Sequence, residues 1–266
     1  MTLAGKTAIV TGAASGIGRA LAISLARRGC HLALADLNEA GLAETAVLAG
    51  TDGVRISCHR LDVSDRRMIA DFPAVVLGTH RGVDILVNNA GVALGGDFEH
   101  VSEADFEWLF DINFWGVVRM TRAFLPLLRA SEDARIVNLS SLFGLIAPPG
   151  QTAYSASKFA VRGLSESLRH ELEGSRIGVT VVHPGGIATA IARNARMSQQ
   201  LPADELARME ARFERLLKMP PERAGEIIVR GIERRRPRII VGSDASFAAL
   251  LERLMPVAYW KVLRRI

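Results

Sequence analysis

Tyr154 and Lys158 stand four residues apart in the stretch YSASK, with only small side chains between them. On a helix, positions i and i+4 share a face, so a phenol and an ammonium would meet there. The same pair also occurs as an ordinary surface contact, and its use depends on what surrounds it. Free tyrosine titrates near pH 10, which leaves about one molecule in a thousand ionised at neutral pH. A cation about 4 Å away, at an effective dielectric near 20, offers roughly 4 kcal/mol toward the phenolate, or about three pK units. One lysine is therefore sufficient to turn the tyrosine into a proton-transfer group. Ser141, at the end of the apolar run RIVNLSS, has a hydroxyl suited to hold a carbonyl oxygen beside that phenol. A turn-forming serine is the competing reading, and Ser140 next to it shows that serine is tolerated here.

A second constellation lies near the start of the chain. TGAASGIG follows the strand-like KTAIV and opens the helical GRALAISLARRG. Gly12, Gly16 and Gly18 stand where a turn must tighten, let a ligand approach the backbone, and then seat a helix closely on a sheet. The unpaired N–H groups and positive dipole end of that helix suit a pyrophosphate. Asp36 closes the next strand, HLALAD, where a carboxylate can accept from a ribose diol and repel a 2′-phosphate. This favours NAD over NADP, and the turn itself contains no Arg or Lys. A turn or capping role before Asn38 is the alternative for Asp36.

These residues need a frame, and the chain supplies one by alternation. Apolar strands recur at VRISCHR, VDILVNNAG, RIVNLSS, GVTVVHPGG and RIIVG, with helical periodicity between them. The spacing predicts helices near 39–49, after Asp65, over about 102–130 with a kink near Pro126, from Tyr154 to about Glu173, near 203–218 and over 221–233. Nearly continuous apolar strands imply a sheet covered on both faces. The expected fold is therefore α/β: a single-domain, Rossmann-like, doubly wound parallel sheet of about seven strands with helices on both faces. Residues 1–242 would form the binding and catalytic domain, with a substrate lid at about 190–218. Residues 243–266 would be an apolar and basic extension.

The 49% hydrophobic and 23% charged content is that of an ordinary folded domain. No apolar run reaches bilayer length, and a cytoplasmic location is expected. Cys30 and Cys58 lack the spacing of a metal or redox motif and read as buried small apolar residues. From Leu206 onward 14 Lys and Arg face 7 Asp and Glu, a local +7 that outweighs the −2 of the rest to give +5. The run RRRPR (234–238) has no aromatic interleaving, which argues against nucleic acid.

Taken together, TGAASGIG, NNAG (Asn88–Gly91), Asn113 in DINFWG, Ser141, YSASK and PGGIAT (Pro184–Thr189) resemble the short-chain dehydrogenase/reductase family in order and spacing. The resemblance implies hydride transfer between a nicotinamide and a secondary alcohol or ketone. It makes Tyr154 the general acid/base, Lys158 its cationic companion and ribose ligand, Ser141 the substrate-orienting hydroxyl, and Asn113 a member of a proton relay through water. A helix-kinking or capping amide is the alternative for Asn113.

The same resemblance assigns Gly12, Ser15, Gly16, Ile17 and Gly18 to the phosphates, and Asp62 and Val63 to the adenine. Asn89, Ala90 and Gly91 would line the cofactor, with Pro184, Gly185, Ile187 and Thr189 closing over the nicotinamide. No metal is implied, His183 reads as a strand-end residue, and assembly into a homodimer or homotetramer is expected.

Leu94, Phe98, Leu142, Phe143, Leu145, Ile146, Met197 and Leu201 are expected to give an apolar substrate surface. A hydrophobic, lipid-like or steroid-like substrate would follow. A dinucleotide-binding regulator or scaffold without turnover is the other functional class, and the intact Ser141, Tyr154 and Lys158 argue against it. The tail FAALLERLMPVAYWKVLRRI is expected to dock on its own domain or a sister subunit, with an anionic membrane surface as the alternative.

Overall fold

The computed structural model describes residues 1–191, 193–197 and 217–265. The strands are β1 (Thr7–Thr11), β2 (His31–Asp36), β3 (Ile56–Arg60), β4 (Ile85–Asn88), β6 (Ala134–Leu139), β7 (Ile177–Pro184) and β9 (Arg238–Val241), all parallel, in the order β3-β2-β1-β4-β6-β7-β9. A separate two-stranded piece pairs β5 (Leu94–Gly95) with β8 (Arg196–Met197). Helices α1 (Gly16–Ala26), α2 (Glu39–Ala49), α3 (Arg66–Leu77), α4 (Glu103–Phe110), α5 (Gly116–Ala130), α6 (Thr152–Glu171) and α7 (Pro221–Glu233) connect the strands. Two more, α8 (Ser243–Leu254) and α9 (Tyr259–Leu263), follow β9 on either side of Pro256. The expected helix over 203–218, with most of the expected lid, lies outside the described residues.

The sheet reverses its strand order at β1, which pairs with β2 on one side and β4 on the other. That is the switch point where open parallel sheets leave a crevice beyond their carboxyl ends. Alternate strand residues feed two cores. On one face Val10, Leu34 and Val87 pack with Leu21, Leu25, Ile228 and Val229. On the other Ile9, Leu86 and Ile136 pack with Phe72, Met120 and Phe124.

Polar pairing also fixes the register. Asn88 and Asn138 face each other across β4 and β6, joined by an Asn88 Nδ2 to Asn138 Oδ1 bond of 2.8 Å. Asn138 Nδ2 then donates to Ser165 Oγ at 2.9 Å, which ties α6 to the sheet. All three are buried, so a one-residue slip would strand amides in the core.

Two expectations need correction here. Pro126 sits inside a continuous α5 on its exposed side, where water can satisfy the carbonyl it leaves free. The irregularity lies upstream, in the π turn Asp111–Trp115 that joins α4 to α5. Cys30 is buried as expected, but Cys58 is exposed, because β3 is an edge strand only partly covered by α2.

Candidate active site

The glycine-rich turn leads from β1 into α1. Gly12 and Gly16 take positive φ values of 65° and 54°, the left-handed region that favours glycine. A Cβ on Gly18 would stand 2.0 Å from the Gly12 carbonyl oxygen, so the helix can seat on the turn only without one. Ser15 is extended and provides no side-chain cap, and the first turn of α1 carries no acid. The helix thus presents uncapped N–H groups and a positive dipole end at the sheet's carboxyl edge, a cradle whose chemistry fits a pyrophosphate.

Asn89 fastens β4 to this turn, its Nδ2 donating to Thr11 O at 2.9 Å and Gly12 O at 3.1 Å. The Ala90 N–H donates to Thr11 Oγ1. Asp36 accepts from the Ala14 N–H through Oδ2 and from the Asn38 N–H through Oδ1, both at 3.0 Å. It therefore braces the turn from the end of β2, while Asn38 is the residue that caps α2. The turn itself holds no cation, but Arg19, the residue directly after it, donates back to Ala14 O and across to Glu44 Oε2. Asp62 accepts from the backbone and hydroxyl of Ser64, and Val63 is buried against Gly116. On the opposite wall Thr189 Cγ2 would lie 3.1 Å from a Cβ on Gly16, so the PGGIAT segment reaches the turn. Pro184 ends β7, Gly185 N–H donates to Val241 O, and Ile187 is buried beside Met219.

Ser141 follows β6, and Tyr154 and Lys158 lie one turn apart on α6, with the Lys158 Nζ 5.7 Å from the Tyr154 ring centroid. The Ser141 hydroxyl accepts from the Phe143 N–H at 3.1 Å and lies near enough to the phenol to influence its titration. Lys158 is buried, and its Nζ donates to Leu139 O at 3.1 Å. Burial pushes this ammonium down to about 8. Burial also pushes the Tyr154 phenol above its ordinary value, with the Ser141 hydroxyl pulling the other way. Burial is the largest influence on this phenol, while the Lys158 ammonium lies over its ring, 5.7 Å from the centroid.

Asn113 sits in the π turn, fully buried. Its Oδ1 accepts from the Val92 N–H at 2.8 Å and its Nδ2 donates to Val92 O at 3.0 Å, clamping the strand-like stretch after β4. Nδ2 also donates to Ser157 Oγ at 3.2 Å, and Ser157 Oγ donates to Tyr154 O at 2.8 Å. The π turn is what swings the amide inward, a common use of such turns at functional sites. A Cβ on Gly91 would stand 3.0 Å from Asn113 Oδ1 and 3.3 Å from Lys158 Nζ, so NNAG, DINFWG and YSASK converge at one point.

Sequence reasoning missed one member of this assembly, Ser157, and gave no contact to two others, Ser140 and His183. Ser157 links Asn113 to the tyrosine's own helix. Ser140 Oγ donates to Lys158 O at 2.9 Å. His183, at the strand end as expected, is buried with Nδ1 3.0 Å from Ser141 O, and burial pushes it to about 4. The small polar residues inside YSASK and the paired serines of RIVNLSS were the available signals.

The expected apolar surface is smaller than its residue types imply. Leu94, Leu145 and Ile146 are buried in packing, Phe98 is exposed, and Leu142, Phe143 and Met197 are partly accessible. Leu201 lies outside the described residues. Among the described residues no group of His, Cys, Asp and Glu is arranged to hold a metal.

An uncapped helix beside a glycine turn, at the switch point of a seven-stranded parallel sheet, with a Ser–Tyr–Lys set on the same edge, defines a nicotinamide-dependent oxidoreductase. Residues 6–200 match the family model described as short chain dehydrogenase, and the chain belongs to that family. SadH of Mycobacterium tuberculosis, which carries the name of an oxidoreductase, is 44% identical over 97% of this chain and 94% of its own length. The 3-oxoacyl-acyl-carrier-protein reductase FabG of Thermotoga maritima is 33% identical over 76% of this chain and 80% of its own. Among solved structures, a short-chain dehydrogenase/reductase from Burkholderia phymatum in complex with NAD superposes with a TM-score of 0.88 at 31% identity, covering 96% of this chain and 95% of that one. An alcohol dehydrogenase from Thermococcus sibiricus complexed with 5-hydroxy-NADP gives 0.73 at 27% identity, covering 89% and 94%.

Proposed function

We propose that the chain interconverts a secondary alcohol and a ketone, with NAD as the preferred cofactor and a hydrophobic substrate. The observation that carries this reading is the meeting of Tyr154 with Lys158, one helical turn apart, on the same sheet edge as Ser141 and the uncapped α1. The nicotinamide, when bound, supplies or accepts the hydride. Ser141 and Tyr154 would hold the substrate oxygen between two hydroxyls. A phenol held above its ordinary value stays protonated at neutral pH, which suits it to donate a proton to a carbonyl oxygen as hydride reaches the carbon. In the oxidising direction the same phenol must release its proton, and the Ser141 hydroxyl and the Lys158 charge both favour its anion.

Asn113, through Val92 and Ser157, would hold the wall behind this group rather than touch the substrate. Gly12, Ser15, Gly16, Ile17 and Gly18 would cradle the phosphates, Asp36 would meet the ribose diol, and Asp62 and Val63 the adenine. Asn89, Ala90, Gly91, Pro184, Gly185, Ile187 and Thr189 would line the rest of the crevice. The division into a catalytic body (1–242) and an extension (243–266), a homodimeric or homotetrameric assembly, and a cytoplasmic setting belong to the same proposal.

Tyr154→Phe tests the central claim. Turnover of hydrophobic ketones, followed by absorbance of the reduced nicotinamide, should fall by about a hundredfold or more, while cofactor affinity by calorimetry is retained. Full turnover in that variant refutes the assignment.

A further inference from the structure

Helix α8 packs with its small side chains inward and its large ones outward. Ala245 and Ala248, three residues apart, are buried against the body. Phe247, Leu250 and Leu254, spaced i, i+3 and i+7, hold the opposite face and are 49%, 56% and 70% exposed. The apolar strip continues past the end of the helix through Met255 to Val257, which is 93% exposed between α8 and α9. The sequence suggested that this tail docks on its own domain or a sister subunit, with a membrane surface as the alternative; these side chains are not covered by their own domain.

The charges around the strip are sorted by direction. Arg253, Lys261, Arg264 and Arg265 are exposed. Of the two acids of the extension, Asp244 accepts from the Gly186 N–H, and Glu252 lies within electrostatic reach of Arg238. The outward face is therefore apolar and rimmed by cations.

We propose that this face docks on an anionic lipid surface. A large apolar strip flanked by Lys and Arg is the chemistry of a helix lying in a membrane interface. No described helix is long and apolar enough to cross a bilayer, so the contact would lie in the plane. A second copy of the chain fits the charges less well. A two-fold contact sets the patch against itself and gathers its exposed cations, among them Arg253, Arg264 and Arg265, at one seam. The proposal does not depend on the oxidoreductase reading, and its test uses no turnover.

The experiment is co-sedimentation of the full-length protein with vesicles of phosphatidylcholine alone, or of phosphatidylcholine containing about one-third phosphatidylglycerol. Binding is expected to the anionic vesicles only, and to weaken as salt rises from about 0.1 M to about 0.5 M. Leu254→Asp combined with Val257→Asp, and separately Arg264→Ala combined with Arg265→Ala, should each lower the partition coefficient by about tenfold or more. Both variants alter exposed side chains, and an unchanged thermal midpoint by circular dichroism confirms that they fold. Absence of sedimentation, or equal sedimentation of wild type and both variants, overturns the proposal. So does a concentration-dependent dimer in light scattering that the Leu254→Asp, Val257→Asp variant abolishes, since the occupant is then a second copy.

Discussion

Asp36 shows how one side chain can hold a turn and still bias a ligand. Each carboxylate oxygen takes one backbone N–H, from Ala14 and Asn38, which leaves lone pairs directed at the end of β2. On the proposed reading its carboxylate would face a 2′-phosphate, while Arg19 nearby is engaged with Glu44. Asp36→Ala should therefore lower the NAD to NADP ratio of kcat/KM by about tenfold or more, read from paired saturation curves with the two cofactors. An unchanged ratio would reduce Asp36 to a brace. The meeting of Tyr154 and Lys158 on one helix face was legible because i, i+4 spacing is a rule of helix geometry. Ser157 was not, because its work depends on Asn113, forty-four residues away, and no local pattern announces that contact.

The same division holds among elements. Alternating apolar strands and periodic helices identified the sheet, its parallel sense and nearly all its helices, since burial on two faces leaves its mark on every strand. A helix-kinking role for Asn113 was among the readings, but its π form was not legible, because the contact it serves is tertiary: a buried amide clamping Val92. Another long-range tie joins α1 to α7. Arg28 meets Glu226 through two nitrogens at 2.8 and 3.1 Å, with Ser24 and Arg230 also donating to that carboxylate.

These partners, led by Arg28, hold Glu226 down at about 2. A carboxyl depressed on folding stabilises the protein above its ordinary range, and that contribution is lost as pH falls from about 4.5 toward about 2. Because the side chain is 37% exposed, solvent screening cuts the effect to about 1 kcal/mol. Glu226→Gln should lower the urea midpoint measurably at pH 7, and the gap to wild type should narrow steadily below pH 4.5. A gap independent of pH would point to lost packing instead.

At the scale of the whole molecule, the extension after β9 reaches back to the site. Tyr259 Oη accepts from the Ala147 N–H at 3.0 Å, on the loop between Ser141 and Tyr154. Trp260 lines an adjoining groove of about 460 Å³ with Pro148, Pro149 and Phe159. Tyr259→Phe removes that acceptor and should raise the substrate KM about fivefold, as expected for one hydrogen bond, with kcat and cofactor affinity little changed. An unaltered KM would separate the tail from substrate recognition.

The place of β9 in the sheet has a further consequence. β7 carries the PGGIAT segment on its end, yet its outer edge is closed only by residues 238–241, which arrive more than fifty residues later in the chain. During synthesis, β7 must wait with a row of unpaired amides and carbonyls until that last strand emerges. Ribosome-bound fragments that stop short of Arg238 would therefore carry a sticky, half-finished edge, and would need a chaperone's protection that the completed chain does not.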